Sequence, residues 1–305
     1  MKKIPLGSTI AGSYGFLFTN IISIIGTMWL PVLLFVALVG TYICQMVPHD
    51  WLQGSFPEHL TKDDVHRYVI THLPIVAGSL PAIVLGSMLM KAMINVGILR
   101  HAVGEKTSTT FIWFSLGARV WRMVAMSLLF LIVYVVLEIA AMIVFGVVNV
   151  GLHLIPFIPN VVHGLVNGLL ALAVFVTFIY VIVRIFFFLP AVIVAENRIS
   201  PSRAWELSDG NVWRIVVLVL AVVVPVCILT GVVVCATLFS TVVPEAMRQH
   251  PQGPEQALKF LKSILPVLPA IAGIYLVSII AVTGLALGAI GRAYKAVTAP
   301  EEAVQ

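Results

Sequence analysis

Glu138 is an acid inside an apolar run, about 15 residues from the run's start near Met123. An acidic side chain near the bilayer centre costs roughly 3 kcal/mol to insert, so such a residue is a functional hypothesis by default. Two chemistries are open to it. A buried carboxylic acid can be a structural hydrogen-bond partner, and one that reaches water alternately from two sides can carry a proton. Folding the apolar runs around it as a hairpin about residues 157 and 158 places Thr177 and Tyr180 at its height. Lys91 and Arg184 lie nearer the ends of their runs, where long cationic side chains can snorkel to the interface.

Other chemistry finds little support in the residues. There are no paired carboxylates in a membrane-facing loop, and no G-x-S-x-G, H-E-x-x-H or P-loop pattern, so no catalytic residue and no enzymatic activity are expected. Cys44, Cys227 and Cys235 fall in apolar blocks with no metal-ligand spacing and read as small buried hydrophobes. Most histidines, including His66, His72, His153 and His163, read as solvated or interfacial on one side of the membrane. No metal and no cofactor are expected.

The elements that must position these groups follow from composition. With 60% hydrophobic and 10% charged residues and a mean hydropathy of +1.08, the chain is far from the roughly 25% charged residues of a soluble domain. Apolar blocks long enough to cross about 30 Å of hydrocarbon as helices imply a polytopic, all-α membrane bundle. Six spans are expected, near residues 21–46, 73–99, 123–150, 165–189, 215–243 and 265–290. The net charge of +5 calls for basic loops and no nucleic acid. Lys2, Lys3, Arg100, Lys106, Arg119, Arg122, Arg198, Arg203, Arg214, Arg292 and Lys295 share one side, against Lys62, Arg67, Arg248, Lys259 and Lys262 on the other. The positive-inside bias then puts both termini in the cytoplasm. Residues 7–20 are too polar for the core of a cleaved signal.

An internal repeat organises the whole chain of 305 residues as a single membrane domain. Ser108 to Arg122 aligns on Ser200 to Arg214, pairing Trp113 with Trp205 and Val120-Trp121-Arg122 with Val212-Trp213-Arg214. A fainter copy begins with Tyr14 and Asn20. The expected unit is an interfacial amphipathic helix followed by a transmembrane hairpin, in three parallel repeats at about 5–100, 105–195 and 197–296, with a tail at 297–305. Ser200 as N-cap and Pro201 at the first helical position predict a short helix. It would carry Trp205 on one side and Arg203, Glu206 and Asp209 on the other, lying flat at headgroup depth. Trp113, Trp121, Arg122, Trp205, Trp213 and Arg214 are therefore the expected interfacial, lipid-facing residues, with membrane lipids as partners and any protein partner unknown.

Leu189-Pro190, Glu196, the run Ser202 to Asn211 with Val212-Trp213-Arg214, and the closing Gly291-Arg292-Ala293-Tyr294-Lys295 resemble a broad group of bacterial six-span inner-membrane proteins. That group includes the membrane domain fused to some glycerophosphodiester phosphodiesterases, and related stand-alone proteins of unassigned function. The resemblance covers most of the chain as architecture and about 30 residues around Trp205 as motif; Ala204 stands before Trp205 where the family often has Ser. In fused members catalysis belongs to a separate soluble domain, for which the tail after Tyr294 is too short. The resemblance therefore implies a multi-pass inner-membrane module that binds or handles lipid or another amphiphile. The alternatives are a proton-linked small-molecule transporter using Glu138, or a structural partner subunit. A lateral apolar opening would favour lipid, a wet polar path transport, and a tightly packed core a structural role.

Overall fold

The computed structural model describes residues 2–46, 62–105, 113–155, 159–241 and 265–299. All regular structure among them is helical: α1 Leu6–Met46, α2 Lys62–Ala102, α3 Ala118–Leu154, α4 Asn160–Phe186, α5 Leu189–Glu196, α6 Pro201–Ser208, α7 Val212–Thr241 and α8 Leu268–Thr298, the last preceded by a 3-10 turn at Leu265–Val267. Six helical spans are long and apolar enough to cross a membrane, with α4 and α5 together forming the fourth. At 1.5 Å per residue the 41 residues of α1 extend about 60 Å, roughly twice the hydrocarbon thickness, so α1 projects beyond it.

The packed core lies at one end of the bundle, the end where α1, α3 and α7 begin and α2, α5 and α8 finish. This basic end buries Ile4, Phe16, Leu99, Val120, Met123, Phe188, Ile215 and Leu285. Its hub is α5, whose residues Leu189 to Val194 are all buried where α2, α3, α4, α6 and α8 meet. Pro190 in its first turn needs no N–H partner, and Asn197 ends it in a left-handed conformation with φ 54°.

Helix α8 closes on α1 and α2 through a small-residue face. A Cβ added at Gly284 would meet Leu17 at 2.8 Å, at Gly288 Phe16 at 2.8 Å, and at Gly291 the Ala102 side chain at 2.5 Å. Lipid is as apolar as a leucine, so close approach of backbones, rather than burial from water, holds such helices together. Further from the basic end the packing thins. On α3 only Val120, Met123 and Val124 are buried, and Val147, Leu154, Val161 and Leu165 are more than 60% exposed, an apolar surface for lipid.

Three expectations change. Residues 5–20 do not form a separate interfacial helix but are the first turns of α1. Thr9, Ser13, Thr19 and Asn20 each bond to a carbonyl one turn back, so their polar groups are satisfied along a continuous helix. In the second unit residues 108–112 lie outside the described residues, and 113–117 are non-helical before α3 begins. Only the third unit has a discrete short helix, α6, capped by Ser200, whose side chain accepts from the Arg203 N–H. It is parted from α7 by Gly210 at φ 67°, a conformation glycine adopts without strain. Finally, all three cysteines are free and exposed rather than buried.

Candidate functional site

The constellation expected around Glu138 is not assembled. Its side chain interacts with the Tyr134 hydroxyl, one turn earlier on the same helix, where i,i+4 side chains meet without help from the facing helix. Thr177 is exposed and donates to the Ala173 carbonyl at 2.9 Å. Tyr180 is turned away and accepts from Arg184 Nη1 at 2.8 Å. Lys91 is exposed on α2.

Arg184 does not snorkel; it is 8% exposed. Its Nη2 donates to Asp209 Oδ1 at 2.7 Å, and its guanidinium carbon lies 4.2 Å from the centre of the Trp205 ring. Trp205 and Tyr180 stand edge to face, with centroids 6.3 Å apart. Ser208 Oγ donates to the Arg184 carbonyl at 3.0 Å. The end of α4 and the short helix α6 are thus locked by one cation, one carboxylate and two aromatic rings. The Arg184 Nε–H is buried without a hydrogen-bond partner. Asp209 reads as a cap charge in the sequence; the available signal was an arginine close to the end of a span followed by an acid in the next polar stretch.

The other interfacial residues divide. Trp121 and Trp213 are 57% and 74% exposed and face outward from the protein. Trp113 does not: its ring packs into the core, 3.0 Å from where a Cβ on Gly97 would stand. Arg122 and Arg214 turn inward to the protein, Arg122 donating to Asn197 Oδ1 and Arg214 Nη1 to the Ile4 carbonyl at 2.8 Å. Asn211 completes this clasp by accepting from the Ile4 N–H at 2.9 Å and donating to the Lys2 carbonyl at 3.1 Å. Buried backbone near the N-terminus is thereby satisfied, and the first residues are tied to the start of α7.

Two carboxylates organise the remaining basic residues. Glu196 pairs with Arg198 at 2.7 Å and Arg203 at 3.5 Å, and accepts from the Tyr294 hydroxyl at 3.1 Å, joining α5, α6 and α8. Glu105 pairs with Arg100 and Arg119, both at 2.8 Å. Partial burial alone would raise the pKa of Glu105, but hydrogen bonds and charge from Arg119 and Arg100 outweigh it and hold the carboxyl below its ordinary range.

Midway along the α3–α4 hairpin is a lateral groove of about 260 Å³, open to the side and lined by Leu137, Ala141 and Val144 of α3 and by Ala173, Thr177 and Phe178 of α4. Small alanines on both walls leave the space. Farther out, Asn149 and Asn167 pair their amides reciprocally at 3.2 and 3.1 Å, and His153 stands beside His163. The buried hydroxyls of Thr9, Ser13, Thr27 and Ser79 each bond a carbonyl three or four residues earlier in the chain. Among the described residues no group of three or more metal-binding side chains occurs. Comparisons with protein-family models, with curated proteins and with solved structures found no match.

Proposed function

We propose that this six-span membrane protein is a non-enzymatic module of the bacterial inner membrane, with both termini cytoplasmic, that binds or handles lipid or another amphiphile at the α3–α4 hairpin. The observation that carries this is the lateral apolar groove between Leu137, Ala141 and Val144 and Ala173, Thr177 and Phe178. It is open rather than enclosed, and its walls are almost wholly apolar, as an acyl chain would require. The fused and stand-alone membrane modules named above are the group to which we assign it. A common origin of the second and third units is supported by Val120-Trp121-Arg122 and Val212-Trp213-Arg214, which both point the tryptophan outward and the arginine into a neighbouring segment; the first unit is proposed as a third copy on its fainter sequence match alone.

Proton-linked transport through Glu138 draws less support, since the side chain it interacts with, Tyr134, lies on its own helix. The test is lipid extraction and mass spectrometry of protein purified in mild detergent, comparing wild type with Ala141→Phe, which fills the groove. Bound lipid should fall at least fivefold. Equal lipid in both would reject the groove, and a pH-dependent flux in proteoliposomes that Glu138→Gln abolishes would establish the transporter instead.

A further inference from the structure

The groove has a direction. Taking 100° per residue along α4, Ala173, Thr177, Tyr180 and Arg184 fall within about 60° of one another and form a single stripe. Ala173 and Thr177 are the lip of the groove, and Arg184 lies about 10 Å further toward the basic end. Between the helices the way is shut: Tyr134 stands edge to face against Phe178, and Phe130 against Phe186, with centroids 5.5 and 4.9 Å apart. A chain leaving the groove toward the basic end therefore follows the stripe over Tyr180. It arrives at Arg184 beneath Trp205.

Two features there are unused by the fold. The Arg184 Nε–H is buried without a partner, although a buried donor left unpaired is costly to the fold. The Asp209 side chain is 63% exposed while its partner is only 10% exposed, so the carboxylate presents an open side to whatever approaches. Trp205 and Tyr180, 37% and 42% exposed, form the rim. A cation inside and an anion outside, about one ion-pair length apart, complement a headgroup that carries both charges in the reverse order. A singly anionic headgroup would satisfy the arginine but face the open carboxylate.

From the stripe joining the groove to the Arg184–Asp209 pair we infer that the lipid handled by this chain is a zwitterionic aminophospholipid. Its phosphate would be held by Arg184, its ammonium by Asp209, and one acyl chain would lie in the α3–α4 groove. This rests on the lipid-handling function proposed above. The Nε–H lies beneath the Tyr180–Trp205 rim, so phosphate accepts from it, as a charge-assisted hydrogen bond, only once that rim parts. Tryptophan and tyrosine, which form the rim, are the ring types favoured at headgroup level.

The experiment measures binding to the full-length protein in mild detergent by native mass spectrometry. Phosphatidylethanolamine, phosphatidylglycerol and diacylglycerol of identical chains are the probes, with inorganic phosphate as a separate arm. We expect phosphatidylethanolamine to bind at least tenfold tighter than diacylglycerol and several-fold tighter than phosphatidylglycerol. Asp209→Asn keeps an oxygen to accept from Arg184 Nη2; in protein shown by its melting curve to be folded, it should erase or invert the preference for phosphatidylethanolamine over phosphatidylglycerol. Arg184→Gln should remove the advantage of both phospholipids over diacylglycerol. Equal binding of all three lipids, unchanged by Asp209→Asn, would overturn the headgroup assignment while leaving the groove as an acyl-chain site. A preference for phosphatidylglycerol in wild type, or inorganic phosphate binding as tightly as phospholipid, would overturn it too. Binding of none of the lipids would defeat the lipid-handling function itself.

Discussion

The basic half of the bundle and the far half of the α3–α4 hairpin are built from equally apolar sequence, yet they pack by different rules. In the basic half, Gly284, Gly288 and Gly291 are each pressed by a neighbouring side chain, whereas Gly146, Gly164 and Gly168 in the hairpin have nothing within 4 Å of where a Cβ would stand. Buried side chains follow the same division: Phe188 is fully enclosed at the hub, and Phe175 is 59% exposed. Apolar composition alone does not bury a residue in a membrane, because lipid offers an equally apolar surrounding. What closes the basic half is the combination of small residues that admit close backbones and inter-element polar bonds from Arg184, Asn211 and Glu196. The hairpin lacks both over most of its length and keeps a groove.

The sharpest way to break this contrast is one substitution made in both regions. Phe188→Ala should cost about 3–5 kcal/mol, as a cavity opens where α5 meets its neighbours. Phe175→Ala should stay within ~0.5 kcal/mol. Thermal unfolding in the same detergent compares them directly; similar losses would mean the hairpin is packed in the membrane by something the two helices do not supply themselves.

A smaller effect with opposite signs is expected from glycine. Gly291→Ala places a methyl against the Ala102 side chain and backbone and should destabilise by about 1–3 kcal/mol. Gly168→Ala meets open space and should stabilise by up to about 1 kcal/mol through helix propensity. A loss at both positions, read from the same melting curves, would show that small residues in the hairpin also serve an interface.

The smallest effect concerns charge at the basic end. The pKa of Glu105 is lowered in the folded protein, so its ion pairs with Arg100 and Arg119 add stability above the ordinary carboxylate range. That contribution is lost as pH falls through the lower, folded value. Glu105 keeps about a third of its side chain in solvent (31%), so the contribution is within ~1 kcal/mol. Between pH 7 and pH 3, wild type should lose slightly more melting temperature than Glu105→Gln; an equal loss would remove Glu105 from the acid response.

Much of this could be read along the chain. Composition and the lengths of the apolar runs determine six helical spans, since backbone in hydrocarbon must bond within its own segment. Ser200-Pro201 and Asp209-Gly210 determine the limits of α6, because cap and turn chemistry is local. The continuity of α1 is not legible in the chain, as its Thr, Ser and Asn side chains serve equally well in a helix interior or at an interface.

Which residue meets which was decided only by the tertiary structure. Spacing on one helix shows that Thr177, Tyr180 and Arg184 share a stripe, but not that the stripe turns from Glu138 toward α6. Nor could it show Trp113 against Gly97, Arg122 on Asn197, or Arg184 on Asp209, for each depends on the rotation of one helix about its axis relative to another. In lipid that rotation is set by close packing of small residues and a few polar bonds rather than by a hydrophobic face. The apolar sequence marks every face alike, so the register of the bundle is written only in the contacts.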